Sequence, residues 1–136
     1  MNRMVTNTIV RPKLLHVYMA SEFSLDDAKR DFEDVLAALQ LDYRDKILID
    51  GVDVTGDPTV IQRFYYGEFV AAAVTTFSRR SMPGKDPHFA YVLHEPTLDP
   101  LRLGETVASN RGMNVKAVET IGEALAWLGL KPEDIS

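Results

Sequence analysis

The residues best suited to acid/base chemistry are a histidine, a glutamate and two aspartates that lie where apolar segments end. His94 and Glu95 close the segment FAYVLHE, and Asp50 and Asp53 follow the segment KILI. Ligands of open α/β sheets gather beyond the carboxyl ends of the strands, and an imidazole and a carboxylate that met there could exchange a proton with a substrate. No spacing in the sequence brings the two segments together. For Asp50 and Asp53 we favour an ordinary role in forming turns.

The sequence contains none of the common motifs for other kinds of catalysis. The chain contains no Walker-type phosphate loop, no glycine-rich dinucleotide fingerprint and no Gly-x-Ser-x-Gly elbow. It has no cysteine, and none of its three histidines has a second histidine at the spacing of metal ligands. We therefore expect no cofactor and no metal, and a function in binding rather than in catalysis.

A short polar turn between an apolar segment and a helix is the next candidate site. In LIDGVDVTGDPTVIQRF, residues 48 to 64, Asp57 is predicted to cap the helix and Pro58 to be its first residue, because a first-turn N–H has no partner within the helix. Asp99-Pro100 repeats this pair before a later helix. Thr59 is then an exposed residue of the first turn, and helix capping alone explains why the turn is there.

The helix after this turn, predicted over residues 58 to 78, carries two apolar stripes. One contains Val60, Phe64, Ala71 and Val74, and the other contains Tyr66, Phe69, Ala73 and Phe77. A helix that is apolar over most of its circumference is buried in its own domain, packed on a partner or placed beside a ligand pocket. Three interpretations stay open: a core, a homodimer contact, and a cleft for an apolar molecule lined by Tyr65, Tyr66, Phe69 and Phe77.

Strand and helix patterns alternate along the chain. Strands are predicted over residues 4–9, 14–20, 46–50, 89–94 and 115–118. Helices are predicted from the cap Ser24 through Leu39, over 58–78, from Asp99 to Arg111, and from the cap Thr120 through Leu128, with Gly112 and Gly129 at helix ends. The order β-β-α-β-α-β-α-β-α predicts one α/β domain, residues 1–136, with a largely parallel sheet and helices packed on it.

Charge and hydropathy limit the partners. Fifteen Lys and Arg against twenty Asp and Glu give a net charge of −5, and no basic run is long enough to follow a phosphate backbone, so we expect no nucleic acid partner. The first residues, MNRMVTNTIVRPK, lack the apolar core of a signal peptide. No window approaches the roughly 18 consecutive apolar residues of a membrane span. A cytoplasmic location is expected.

Two longer segments together resemble a known family. The segments ILIDGVDVTGDPTVIQRFYYGEF and ETVASNRGMNVKAVETIGEALAWL are similar to the SpoIIAA-like branch of STAS domains. In that branch a strand ending in Leu-x-Asp precedes the key turn, and the last helix ends in Ala-Leu-x-Trp-Leu. The resemblance covers nearly the whole chain in element order. It implies a mixed, mostly parallel sheet of four or five strands flanked by about four helices.

The resemblance also implies a function. Members with known roles are anti-sigma-factor antagonists or domains of anion transporters, and the fold is also similar to the lipid-binding Sec14-type domain. In the antagonists the key turn reads Asp-Ser-Ser-Gly, and a partner kinase phosphorylates one serine. The matching residues here are Asp57, Pro58, Thr59 and Val60, which leaves Thr59 as the residue for a phosphate.

Three functions follow, in order of preference. The first is a non-catalytic STAS-like regulatory module that binds a protein partner or a second copy of itself through the turn 53–59 and the helix 58–78. Its surface would contain Asp53, Asp57, Tyr65, Tyr66, Phe69 and Phe77. The second is a binding protein for a small apolar molecule or lipid. The third is an enzyme with an unrecognised site.

Overall fold

A five-stranded mixed sheet forms the centre of the molecule. A computed structural model describes residues 4–136. Its strands are β1 (Val5–Val10), β2 (Leu15–Glu22), β3 (Lys46–Thr55), β4 (His88–Val92) and β5 (Asn114–Val118). They lie in the order β1-β2-β3-β4-β5, with β1 antiparallel to β2 and every other pair parallel. The predicted α/β class with a mixed, mostly parallel sheet is confirmed.

Helices cover both faces of this sheet. They are α1 (Leu25–Leu41), α2 (Val60–Arg80), α3 (Leu103–Asn110) and α4 (Ile121–Leu128), followed by a 3-10 turn over Pro132–Ile135. The side chains of Ile47 and Ile49 on β3 join a core with α1, α2 and α3, while Leu48 joins a second core with α4. Since successive residues of a strand point to opposite faces, α1 to α3 lie on one face and α4 lies on the other.

Most helix ends follow the predicted capping. The Ser24 hydroxyl accepts a hydrogen bond from the N–H of Asp27, and the Thr120 hydroxyl accepts one from the N–H of Glu123. Gly129 closes α4 with a φ of 71°, a left-handed conformation that favours glycine.

The predicted start of α2 is wrong. Its cap is Thr59, not Asp57: the Thr59 hydroxyl accepts from the N–H of Gln62 at 3.1 Å, and the Gln62 amide oxygen accepts from the N–H of Thr59 at 2.9 Å. This reciprocal capping box satisfies two N–H groups at once. Pro58 therefore precedes the helix, and the Asp57 carboxylate instead pairs with Arg63.

The predicted start of α3 is also wrong, by three residues: the cap is Arg102 instead of Asp99. The Asp99 carboxylate does accept backbone N–H groups, from Leu101 at 3.0 Å and Leu103 at 2.8 Å. The intervening Arg102 has a φ of 55°, so the chain makes a separate turn before the helix begins at Leu103.

The second apolar stripe of α2 is largely covered within the domain. Phe77 is buried in the main core, and Tyr66, Phe69 and Ala73 pack against that core. The Lys29 ammonium of α1 lies 5.4 Å from the centre of the Phe69 ring, so α1 supplies part of the cover. The core interpretation therefore accounts for most of this stripe.

Helices α2 and α3 approach closely at two glycines. A Cβ atom on Gly67 would lie 2.5 Å from the carbonyl oxygen of Gly104 and 3.2 Å from Cβ of Val107. No side chain fits there, which lets the two backbones pack together.

Gly67→Ala should destabilise the protein by about 1 to 3 kcal/mol, because the added methyl group forces α2 and α3 apart. Gly122→Ala is the control, since its Cβ would have only the Thr120 hydroxyl 4.0 Å away. That change should be neutral or stabilise by up to about 1 kcal/mol, the helix propensity of alanine over glycine. Urea unfolding of both variants measures the difference, and equal stabilities would contradict the close packing.

Candidate functional site

The acidic residues expected beyond the central strand lie inside it. Because β3 continues to pair with β2 up to Thr55, Asp50 and Asp53 are strand residues and the expectation of turn-forming aspartates is wrong. Burial raises the pKa of Asp50, whose carboxylate accepts from the N–H of Val52 at 3.3 Å. Asp53 is exposed.

His94 and Asp53 lie within electrostatic range of Asp50. After burial and the Val52 N–H, the charge on Asp53 raises the pKa of the Asp50 carboxyl and the charge on His94 lowers it. His94 and Glu95 are exposed in the loop after β4, and within residues 4–136 no side-chain hydrogen bond joins either of them to Asp50 or Asp53. His16 is buried, stacks on Tyr18, and accepts a hydrogen bond from Nε of Arg11 at its Nδ1. Across the same described stretch, no group of three His, Asp or Glu residues could hold a metal ion.

An apolar cavity lies at the carboxyl ends of the parallel strands. It has a volume of about 120 Å³, lies between the sheet, α2, α3 and the loop after β4, and is partly open to solvent. Met19, Val54, Leu93 and Ala117 line it near the strand ends. This is the position at which open α/β sheets bind ligands.

Two tyrosines line the cavity and share a hydrogen bond. The hydroxyl oxygens of Tyr66 on α2 and Tyr91 on β4 are 2.8 Å apart, and the two rings meet edge to face. The Phe23 ring also meets the Tyr66 ring edge to face. Burial raises the pKa of both hydroxyls above the usual tyrosine range, so both carry their protons at neutral pH.

Arg63 joins the two loops beside the cavity. Its guanidinium donates to the carbonyl oxygens of Pro58 at 3.0 Å, Pro96 at 2.8 Å and Thr97 at 2.7 Å, and to the Asp57 carboxylate at 3.2 Å. The Thr97 hydroxyl donates to the carbonyl oxygen of Gly56 at 2.8 Å, which makes a second link. The turn before α2 and the loop after β4 are thus held together by side chains.

The other charged residues of the lining also bind backbone groups. Nε of Arg102 donates to the carbonyl oxygen of Ala117 at 3.1 Å, and the Glu105 carboxylate accepts from the N–H of Ala117. The N–H of Leu103, donated to Asp99, lowers the pKa of that carboxyl. These contacts attach α3 to the end of β5 and keep the charges at the wall.

A second feature is an apolar patch on the first two turns of α2. The patch consists of Val60, Ile61, Phe64 and Tyr65, whose exposed fractions are 70%, 64%, 37% and 49%. It begins directly after the cap Thr59, which is also exposed. The Arg111 guanidinium lies 5.6 Å from the centre of the Phe64 ring and pairs with Glu68 at 3.2 Å.

The structure separates the residues that the sequence grouped into one surface. Tyr66 lines the cavity, Asp57 is linked to its edge through Arg63, and Tyr65 belongs to the apolar patch. Phe69 and Phe77 are part of the core region, and Asp53 lies on β3 away from the cavity lining.

Sequence reasoning missed Tyr91 and Arg63 as site residues. The only signal for Tyr91 was a hydroxyl within the otherwise apolar segment FAYVLH, and Arg63 carried no signal.

Comparison of the chain with protein-family models found no match, and comparison with curated proteins found none. The resemblance to SpoIIAA-like STAS domains therefore stays a prediction. Within residues 4–136, no helix combines the length and the apolar character needed to cross a membrane.

Arg63→Met should destabilise the protein by about 2 to 3 kcal/mol, because three backbone carbonyls lose their donor. Arg111→Met is the control, because this arginine also pairs with a carboxylate but at an exposed site. Its loss should cost less than about 1 kcal/mol. Thermal unfolding followed by circular dichroism measures both, and a similar small effect for the two variants would contradict the bridging role.

Proposed function

We propose that the protein binds a small apolar molecule in the cavity between the sheet, α2 and α3. The observation that carries this proposal is an almost wholly apolar cavity of about 120 Å³ at the carboxyl ends of the strands. Packed protein interiors hold few voids larger than a water molecule. A void of about 150 Å³ with apolar walls stays dry and takes up benzene. An unfilled space of this size therefore favours binding of an apolar molecule.

The volume favours a small molecule over a lipid. Scaled from benzene, which has six non-hydrogen atoms and fits a void of about 150 Å³, a cavity of about 120 Å³ accepts about five to six non-hydrogen atoms. An acyl chain of ordinary length is several times larger and would need the Arg63 contacts to open. The small-molecule form of the binding hypothesis is therefore the one that we propose.

The chemistry of the lining favours binding over catalysis. Of the residues that the structure describes, those around the cavity include no histidine, and their carboxylates, Asp99 and Glu105, accept backbone N–H groups. Both tyrosines stay protonated because burial raises their pKa. None of these groups is placed as a free base or nucleophile.

Titration with benzene tests the proposal. Ala108 is buried and lines the cavity, so the side chain of Ala108→Leu should fill it. We expect benzene to bind the unaltered protein with a dissociation constant of the order of 1 mM and to bind Ala108→Leu at least tenfold more weakly. The shifts of backbone amide signals near Tyr66 and Tyr91 in NMR spectra measure the binding.

Ala72→Leu is the matched control, because Ala72 is an exposed residue of α2 that takes no part in the cavity. It should leave benzene binding unchanged. Absence of saturable binding to the unaltered protein, or equal binding by all three proteins, would rule the proposal out.

A second candidate is the STAS-like interaction module in the cytoplasm. The apolar patch supports it, because four large side chains without charge are exposed side by side. A second copy of the chain is the partner that we propose, since a two-fold contact covers the same patch on both copies. A phosphate on Thr59 would place negative charge at the edge of that contact, beside the first turn of α2.

Sedimentation velocity tests the second candidate. We expect the unaltered protein to form dimers and Ile61→Lys to be monomeric, because a buried ammonium has no partner in an apolar contact. Thr75→Lys adds the same charge at an exposed position further along α2 and should leave the dimer intact. A monomer at all concentrations of the unaltered protein would contradict self-association.

A further inference from the structure

We propose that the molecule bound in the cavity is neutral and carries one hydrogen-bond acceptor, such as a ketone carbonyl, which the hydroxyl pair of Tyr66 and Tyr91 recognises. This inference rests on the proposed function and names its ligand class.

The hydroxyl pair has one donor left over. Each tyrosine hydroxyl has one hydrogen to donate, and only one of the two hydrogens can lie between the two oxygens. Over residues 4–136, neither hydroxyl makes a further hydrogen bond to a protein group. The remaining O–H belongs to a part-buried pair beside an apolar cavity, and a donor without a partner in such a place is unfavourable. An acceptor atom on the ligand satisfies it.

The charges around the cavity favour a neutral ligand. The guanidinium groups of Arg63 and Arg102 already donate to backbone carbonyl oxygens. Asp99 and Glu105 add two negative charges to the same wall. A carboxylate ligand would thus lose its hydration without gaining a cation of its own.

The cavity volume selects the probes. Cyclopentanone has six non-hydrogen atoms, and methylenecyclopentane has the same shape with a CH₂ group in place of the carbonyl oxygen. Comparing these two ligands isolates the acceptor atom, because their apolar surfaces are nearly the same. Pentanoate tests the preference for a neutral ligand.

The experiment measures the dissociation constants of the three probes by NMR titration. The proteins are the unaltered chain, Tyr66→Phe, Tyr91→Phe and the double variant. Each single variant keeps one hydroxyl that is free to donate, so cyclopentanone binding should change less than about threefold. The double variant has no hydroxyl and should bind cyclopentanone about tenfold more weakly, while methylenecyclopentane should bind it at least as well as before. Pentanoate should bind the unaltered protein at least tenfold more weakly than cyclopentanone.

A measurement on the unaltered protein covers the case in which the double variant does not fold. The infrared carbonyl band of bound cyclopentanone should lie at lower frequency than in a hydrocarbon solvent, because a donor weakens the C=O bond. A band at the hydrocarbon position would overturn the inference. An equal loss of affinity for cyclopentanone and methylenecyclopentane in the double variant would overturn it as well. Tighter binding of pentanoate than of cyclopentanone would overturn it too. If neither cyclic ligand binds the unaltered protein, the proposed function itself fails.

Discussion

The architecture depends on burying both faces of β3. Ile47, Leu48 and Ile49 are almost completely buried, and they alternate between two cores. A strand that is apolar on both faces needs helices on each side and a neighbour at each edge. The parallel pairs on both sides of β3 then place the carboxyl ends of β2, β3, β4 and β5 at one edge of the sheet. Every feature of the candidate site lies at that edge.

The chain leaves the sheet at this edge through loops whose polar groups need partners. Backbone carbonyls near the core are costly unless they receive a hydrogen bond. Arg63 supplies donors to three of them. At the end of β5, Arg102 donates to the carbonyl oxygen of Ala117, and the Glu105 carboxylate accepts from the N–H of the same residue. The hydrogen-bonding groups of these charged side chains are therefore used by backbone atoms of the loops and strand ends. The space between the side chains stays apolar. Because the four charged residues of the lining bind backbone groups, the cavity offers a ligand mainly hydrocarbon contact and one tyrosine O–H.

The close approach of Gly67 to Gly104 sets the shape of that space. It brings α2 and α3 together on the sheet, while the larger side chains of Tyr66 and Val70 extend from α2 toward the cavity. The Asp31 carboxylate of α1 accepts hydrogen bonds from the backbone N–H groups of Met4 and Val5. These bonds attach the start of β1 to α1 beside the cavity, which Met4 also lines. Elements that are distant in sequence thus contribute to one cavity wall, and a direct contact holds each of them in place.

Local sequence signals determined the element order, the α/β class and several helix ends. Ser24, Thr120 and Gly129 act where they were expected, because capping depends on residues within one turn of the helix. Tertiary structure decided the rest. The strand β3 extends to Thr55 because β2 pairs with it, and α2 begins after Thr59 because Asp57 is engaged by Arg63 while Gln62 completes the capping box. The cavity and its tyrosine pair join residues 66 and 91, whose meeting depends on how α2 packs on β4, and no local pattern encodes that distance.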